Sequence, residues 1–183
     1  HSLNLLSYRN LAEIGFDEEQ IKQIAAAVSV PAVPNDEGEI VDRPGLPSDK
    51  FKAPFANEQA ARASNNGAQP PDLSLIVKAR VGGPDYLHGL LTGYSDPPAD
   101  MNMADGMSYN KYFPGHQIAM PPPLSGTPEE VDQMAKDVTA FLAWAAEPET
   151  ESRKETGVGV LLFLVILSAM MFATKKKIWA ALH

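Results

Sequence analysis

The sequence of 183 residues predicts a mainly α-helical domain with long irregular loops, followed by one helix that crosses a membrane. Three observations lead to this prediction. Residues 157–173 read GVGVLLFLVILSAMMFA and carry no charge. Several upstream segments combine helix-capping residues with apolar residues at helical spacing. The chain contains 16 prolines, and they fall mostly between those segments, which is typical of loops.

The uncharged run near the C-terminus, together with its flanks, is about as long as the 20 or so residues that a membrane-spanning helix needs. Lys175–Lys177 follow at once and mark the cytoplasmic-type side, while Trp179 suits the membrane interface. A buried core helix is the alternative, but such a helix rarely lacks a polar face for so long. A secretory signal is excluded by position. We therefore expect a linker at 149–156, a span at 157–174 and a cytoplasmic or matrix-side tail at 175–183.

The part that precedes the span is acidic. All 23 acidic residues but only 12 of the 15 basic ones lie before residue 157, so this part carries a net charge of −11. Such a surface argues against a nucleic-acid partner. It suits a basic protein partner, because opposite fields steer encounter, although solubility alone would also explain it. The chain has no cysteine and begins with His1, so we expect an upstream segment that is absent here.

Local signals predict helices and one small hairpin in the first half of the chain. The first 15 residues have only a weak helical pattern. Asp17 and Gln20 form a capping-box pattern ahead of a short amphipathic helix. Residues 28–33 and 39–42 flank a turn at 35–38 and could pair as a hairpin. Asn57 is placed to cap another short helix.

The second half of the chain contains clearer signals for the starts and ends of helices. Asp72 is a candidate N-cap for a helix over 73–80, and Pro84 begins a further helix that Gly93 ends. Residues 95–123 show little periodicity, which is unusual in a compact domain and suggests that this segment wraps around a bound cofactor. Thr127 then opens a long amphipathic helix that runs to Glu147.

The sequence shows no recognisable catalytic pattern. The sequence has no glycine-rich phosphate loop, no nucleophile elbow and no pair of histidines spaced for zinc. Its four histidines are scattered, and its carboxylate pairs have turn or cap explanations; the histidines are His1, His88, His116 and His183. A hydrolase therefore has no residues to support it.

Met120 precedes Pro121-Pro122-Pro123, and three prolines stiffen the backbone in an extended form. A thioether held on such a loop would be a suitable weak, soft ligand for haem iron opposite a histidine. On these residues alone, ordinary loop packing is the more common reason for a methionine in this position.

Several segments closely resemble the cytochrome c1 family. They are Glu58-x-Ala60-Ala61-Arg62-Ala63-x-Asn65-Asn66-Gly67-Ala68, Pro70-Pro71-Asp72-Leu73-Ser74, Gly83-Pro84-Asp85-Tyr86, Leu90-Leu91-Thr92-Gly93-Tyr94, Tyr109-Asn110-x-Tyr112-Phe113-Pro114-Gly115, Ile118-Ala119-Met120-Pro121-Pro122 and Ala135-Lys136-Asp137-Val138-x-x-Phe141-Leu142-x-Trp144-Ala145-Ala146-Glu147-Pro148. The likeness covers nearly the whole chain, including the C-terminal anchor. It implies a class I cytochrome c-like haem domain over 1–148.

The same resemblance implies site residues. His1 matches the histidine of the family's Cys-x-x-Cys-His haem-attachment motif, the proximal iron ligand, and Met120 matches the distal ligand. Both attachment cysteines would lie just upstream of His1, so haem c has no cysteine to attach to here. The positions that match the haem pocket and the haem propionates are Asn65, Pro70, Pro71, Arg80 and Tyr86.

Resemblance to this family implies an electron-transfer subunit of quinol–cytochrome c oxidoreductase. Electrons would arrive from the Rieske iron–sulfur protein and leave to cytochrome c, with cytochrome b beside the anchor in the lipid bilayer. The haem domain would face the periplasm or the intermembrane space. The alternative is a membrane-anchored acidic domain without redox activity that only binds partners.

Overall fold

The computed structural model describes residues 1–34 and 37–180, so the turn predicted at 35–38 and the end of the tail predicted at 175–183 lie partly outside the described residues. The chain divides into two compact units, His1–Ala146 and Glu147–His183. The first unit is mainly helical, as the sequence predicts. Its elements are a 3-10 helix at Tyr8–Ile14, α1 (Glu18–Ala26), β1 (Ser29–Pro31), β2 (Asp42–Pro44), α2 (Glu58–Ser64), α3 (Gly83–Thr92), β3 (Ser108–Tyr109), β4 (Gln117–Ile118) and α4 (Pro128–Ala146).

The N-terminal helices form where local capping favours them. The predicted capping box at α1 is confirmed, because Asp17 Oδ1 accepts from Gln20 N at 2.8 Å and Gln20 Oε1 accepts from Asp17 N at 2.9 Å. The predicted cap of α2 is also confirmed, since Asn57 Oδ1 accepts from Ala60 N at 2.8 Å. The buried face of α1 packs on the 3-10 helix in one small apolar cluster, made of Tyr8, Leu11, Ile21 and Ala25.

Strands β1 and β2 confirm the small hairpin. They pair in antiparallel fashion, with Ser29 opposite Pro44 and Pro31 opposite Asp42. The second strand begins at the end of the segment predicted for it, so the connection is longer than a tight turn. Prolines are tolerated here because a two-stranded sheet consists only of edge strands.

The helix predicted over 73–80 is wrong, since these residues form successive turns. The Asp72 carboxylate does not cap a helix; its Oδ1 accepts from Ser74 N, two residues on, and its Oδ2 accepts from Asn4 N. Ile76 is buried in a cluster with side chains of α3 and α4. Long-range contacts therefore decide the path of this segment, and β-branched Ile76 and Val77 do little to oppose them.

Helices α3 and α4 pack against each other and carry the second apolar cluster, in which Leu87 and Leu142 are buried with Ile76. The predicted start of α4 is confirmed as a capping box, because Glu130 Oε2 accepts from Thr127 N at 2.8 Å and Thr127 Oγ1 accepts from Glu130 N at 3.3 Å. The two helices are joined further by a contact of 2.9 Å between His88 Nε2 on α3 and Asp132 Oδ1 on α4.

The segment between α3 and α4 is mostly irregular, as the sequence predicts. Its regular part is a two-residue pairing in which Ser108 lies opposite Ile118 and Tyr109 lies opposite Gln117. Ile118 is buried, and Met120 follows it two residues later. This pairing closes a loop of seven residues, 110–116, that lies against the end of α3.

The second unit contains α5, a single helix over Thr150–Ala180. Within the described residues, α5 is the one helix long and apolar enough to cross a membrane. The segment predicted as a linker over 149–156 is helical from Thr150, because its acidic and basic side chains support a helix: Lys154 Nζ donates to Glu151 Oε1 at 2.8 Å. Lys175 Nζ lies 4.9 Å from the ring centroid of Trp179 near the far end.

Candidate functional site

The imidazole of His1 is held by the backbone of a distant segment. Its Nδ1 lies 2.9 Å from the carbonyl oxygen of Pro71, although the two residues are 70 positions apart. A carbonyl oxygen only accepts, so Nδ1 carries the proton and donates it. In the neutral form of the ring, this tautomer keeps the lone pair of Nε2 available for a metal.

The segment that follows His1 runs alongside residues 71–74 and joins them by several bonds. Ser2 and Asp72 form a parallel bridge, and Leu73 N donates to Ser2 O at 2.8 Å. Leu5 N donates to Ser74 Oγ at 3.1 Å, and Ser74 is fully buried. These bonds fix the backbone next to His1, so the direction of its side chain is fixed by more than a single contact.

Asp72 is the charged centre of this arrangement. Its Oδ2 accepts from Ser2 Oγ at 2.8 Å and from Asn4 N at 2.9 Å, and its Oδ1 accepts from Ser74 N at 2.9 Å. Partial burial acts to raise the pKa of the Asp72 carboxyl, but the donors from Asn4, Ser74 and Ser2 outweigh it and hold the pKa below its ordinary value. The carboxylate therefore stays ionised and keeps accepting at neutral pH.

Met120 lies at the other candidate position and is half-buried. The hydroxyl of Tyr94 donates to the carbonyl oxygen of Met120 at 3.1 Å. Burial raises the pKa of Tyr94 to about 12, so this hydroxyl keeps its proton. On its C-terminal side Met120 is followed by Pro121-Pro122-Pro123, whose fixed φ angles restrict the chain.

The other histidines within the described residues have contacts of their own. His116 is exposed, with its Nδ1 3.3 Å from Asn110 O and its ring centroid 5.9 Å from that of Tyr109. His88 is half-buried and contacts Asp132 across α3 and α4.

The remaining candidate residues are placed less uniformly. Tyr86 is half-buried and packs on the α3–α4 apolar cluster, and Pro71 receives the His1 bond. Asn65 is half-buried, and its Nδ2 donates to Ala61 O at 2.7 Å. Arg80 is exposed, and its Nη1 donates to Ala79 O at 3.0 Å. Pro70 is half-buried. The structure thus joins His1 directly to Pro71, whereas the side chains of Asn65 and Arg80 bond their own sequence neighbours.

Sequence reasoning missed two residues of the Met120 region. Asn110 is fully buried inside an irregular segment, and apart from the family resemblance around it, no local pattern distinguishes it from a turn asparagine. Tyr94 follows Gly93, which ends α3, so the sequence pattern predicts that Tyr94 lies in a loop and assigns it no role. Its place in the segment Leu90–Tyr94 that resembles the family was the available signal, but that resemblance assigned it no role.

The donor set fits a haem iron. Within residues 1–34 and 37–180 there is no cluster of three or more histidine, cysteine or acidic side chains that could hold a metal ion. An imidazole with a free Nε2 and a thioether are the two axial ligands that haem iron accepts in high-potential cytochromes. The chain contains no cysteine, so none of its own residues can form a thioether bond to the haem.

Comparison with known proteins identifies the family. The profile of the Cytochrome C1 family matches residues 1–182. This chain belongs to the cytochrome c1 family. Cytochrome c1 of Rhodospirillum rubrum is 47% identical over 98% of this chain and 75% of its own length. The mitochondrial heme protein cytochrome c1 1 of Arabidopsis thaliana is 50% identical over all of this chain and 62% of its own length.

A third relative is longer still. Cytochrome b/c1 of Bradyrhizobium diazoefficiens is 45% identical over the whole of this chain, which spans 31% of the relative. The chain thus spans from about a third to three quarters of these cytochrome c1 relatives. Family membership agrees with the mainly helical fold and with α5 as a candidate membrane anchor.

Proposed function

We propose that this chain belongs to the electron-transfer subunit of quinol–cytochrome c oxidoreductase, which passes electrons from the Rieske iron–sulfur protein to cytochrome c. The observation that carries the proposal is the fixed imidazole of His1, whose Nδ1 donates to Pro71 O and leaves Nε2 free. Haem c, when bound, supplies a carrier that takes up and releases one electron. The residues of the chain therefore need to bind, orient and shield this group, and no acid–base residue is required.

His1 is proposed as the proximal ligand. The bond to Pro71 O selects the tautomer that can ligate through Nε2 and restrains rotation of the ring. A donating contact of this kind also makes the ligating nitrogen more basic. The bonds from Ser2 and Asn4 to Asp72 restrain the backbone next to His1, so the imidazole would hold a bound iron without rearrangement of this segment.

Met120 is proposed as the distal ligand. A thioether is a soft ligand that favours ferrous over ferric iron and so raises the reduction potential. Half-burial of Met120, its carbonyl bond from Tyr94 and the three prolines after it restrict the backbone from which the sulfur projects. The sulfur would therefore lose little conformational freedom when it binds a haem iron.

Pocket residues are proposed from the family resemblance. Asn65, Pro70, Pro71 and Tyr86 are placed in the wall of the haem pocket. Arg80 is exposed, and one nitrogen of its guanidinium bonds Ala79 O. Its other donors can bind a haem propionate, since charge-assisted bonds from arginine to carboxylates are strong.

The rest of the chain is assigned in the same way. Residues 1–148 are proposed as the haem domain, 149–156 as a linker that is helical from Thr150, 157–174 as the span beside cytochrome b, and 175–183 as the tail. The lysines at 175–177 support a tail on the cytoplasmic or matrix side, because positive charge is enriched there, and we propose the periplasmic or intermembrane side for the haem domain. The net charge of −11 before residue 157 would attract a basic cytochrome c.

Replacement of the distal ligand tests this function. In the membrane complex, Met120→Leu keeps the volume of the side chain but removes the sulfur. We expect loss of the far-red methionine–iron absorption band of the ferric protein and a fall in reduction potential on the order of hundreds of millivolts, which ligand identity can produce.

His116→Ala is the matched control and should keep both the band and the potential. A complex whose cytochrome c1 chain shows no haem spectrum would instead support an anchored acidic scaffold. Retention of the band in Met120→Leu together with its loss in His116→Ala would show that the wrong ligand has been assigned.

A further inference from the structure

The end of α3 and the loop that leads to Met120 are in close contact. Gly93 is buried, and a Cβ added there would lie 2.5 Å from Tyr112 Cδ2, 2.7 Å from Gly89 O and 3.1 Å from Asn110 Oδ1. Lys111 N donates to Gly93 O at 2.9 Å. No side chain other than the hydrogen of glycine fits at this position, so the loop rests directly on the backbone of α3.

Asn110 joins the same two elements from inside. Its Nδ2 donates to Leu90 O in the last turn of α3 at 2.7 Å, and its Oδ1 accepts from Tyr112 N at 3.0 Å and Phe113 N at 3.2 Å. Its own N donates to His116 O at 3.0 Å, which closes the loop. This fully buried side chain therefore makes the 110–116 loop part of the α3 scaffold.

Tyr94 connects that scaffold to Met120. It directly follows Gly93 and forms an antiparallel bridge with Asn110, so its backbone is fixed at both points. Its hydroxyl reaches 26 residues along the chain and donates to Met120 O at 3.1 Å. The chain upstream of Met120 is held by the β3–β4 pairing, and the chain downstream by prolines. Among the residues that the structure describes, Tyr94 is the one whose side chain bonds the backbone of Met120.

We propose that Tyr94 is a positioning residue for Met120: its hydroxyl holds the Met120 carbonyl so that the thioether stays in place as an axial ligand. This inference rests on the proposed function of Met120. Tyr94 acts on Met120 through its backbone carbonyl. Ferric iron binds a thioether weakly, so the effect of the hydroxyl should be clearest in the oxidised protein, where an added ligand can compete with the sulfur.

Imidazole is the probe for this competition, and the sample is the membrane complex with its haem. Tyr94→Phe removes one hydroxyl and leaves the ring. We expect imidazole to bind the ferric haem about two- to tenfold more tightly than in the unaltered complex, as the loss of one net hydrogen bond implies. The far-red methionine–iron band should disappear at correspondingly lower imidazole concentration.

Tyr112→Phe is the matched control. Tyr112 belongs to the same loop, is half-exposed, and its hydroxyl has no hydrogen-bond partner among the residues that the structure describes. The imidazole affinity should therefore stay at its original value. A second pair of variants distinguishes loss of the hydrogen bond from general loosening of the loop. In a Met120→Leu background, Tyr94→Phe should leave the imidazole affinity unchanged within about twofold. The reason is that the Tyr94 bond can affect imidazole binding only through the sulfur, which this background lacks.

The outcomes are distinguishable. An unaltered complex without the methionine–iron band would remove the proposed function and this inference with it. A complex that has the band, but in which Tyr94→Phe and Tyr112→Phe bind imidazole equally, would overturn the positioning role while leaving Met120 as the ligand. An equal effect of Tyr94→Phe with and without the Met120 sulfur would also overturn it.

Discussion

The His1 region and the Met120 region hold their candidate ligands in different ways. His1 is held through its own ring nitrogen, and Ser2, Asn4 and Leu5 are bonded to Asp72 and Ser74 of a distant segment. Met120 makes no comparable side-chain bond within the described residues. Its backbone carbonyl is bonded by a neutral hydroxyl, and the loop before it rests on α3 through Asn110.

This difference reflects the chemistry of the two donors. An imidazole has a second nitrogen that can be bonded without blocking the first, so the ligand itself can be oriented. A thioether sulfur has no second polar atom, so only the backbone that carries it can be fixed. The first arrangement depends on a charge, whereas the second depends on buried neutral polar groups and glycine packing.

The largest effect is expected from Asn110→Ala, which breaks the Met120 side. It removes the donor to Leu90 O and leaves Tyr112 N and Phe113 N without their acceptor in a buried place. We expect a loss of about 3 kcal/mol of stability, since unsatisfied buried groups cost about 1–3 kcal/mol each. The midpoint of thermal loss of the haem spectrum should then fall by roughly 6–12 °C.

Asn102→Ala is the control for that measurement, because Asn102 is an exposed asparagine of the same irregular segment. Asn102→Ala should change the stability by no more than about 0.5 kcal/mol, as is usual for surface substitutions, so its melting midpoint should stay close to that of the unaltered protein. If both variants melt alike, the loop does not depend on the buried amide.

Acid should weaken the His1 side before the Met120 side. The pKa of Asp72 is lowered in the folded protein from an ordinary value of 3.8, so its contribution to stability is fully present above pH 3.8 and is lost as the pH falls through the lower folded value. We expect Asp72→Asn to cost about 1–2 kcal/mol at neutral pH, and the difference from the unaltered protein to shrink below pH 3.8.

The measurement is the unfolding midpoint of both proteins across a series of pH values. Asp105→Asn, which changes an exposed carboxylate, serves as the control. A difference between Asp72→Asn and the unaltered protein that stays constant down to pH 2 would show that ionisation of Asp72 does not hold the N-terminal segment.

The smallest effect is expected from Ser2→Ala, which sharpens the comparison. It removes one of the donors to Asp72 Oδ2 and leaves Asn4 N bonded to the same oxygen. The expected loss of stability is about 0.5–1 kcal/mol, the net value of one hydrogen bond. Ser95→Ala, at an exposed serine with a long bond of 3.4 Å, should lose less. Equal losses of stability in the two variants would mean that the Ser2 bond to Asp72 contributes no more than an ordinary surface bond.

Predictions that rest on neighbouring residues are confirmed by the structure. The capping boxes at Asp17 and Thr127 and the cap at Asn57 depend on atoms three residues apart, and all three form as expected. The same reasoning at Asp72 is wrong, although its sequence signal was equally good. The carboxylate there bonds Ser2 and Asn4, some 70 residues away, and these partners are not visible in the local pattern.

The sequence by itself determined the helical class, the caps, the long irregular segment and the apolar helix near the C-terminus. These follow from hydrogen bonds and periodicity within a few residues. Only the tertiary structure decided which nitrogen of His1 stays free, where Tyr94 reaches and what Asn110 holds. Each of these depends on a bond between segments that are 20 to 70 residues apart. Such a bond forms only after other packing has brought both ends together.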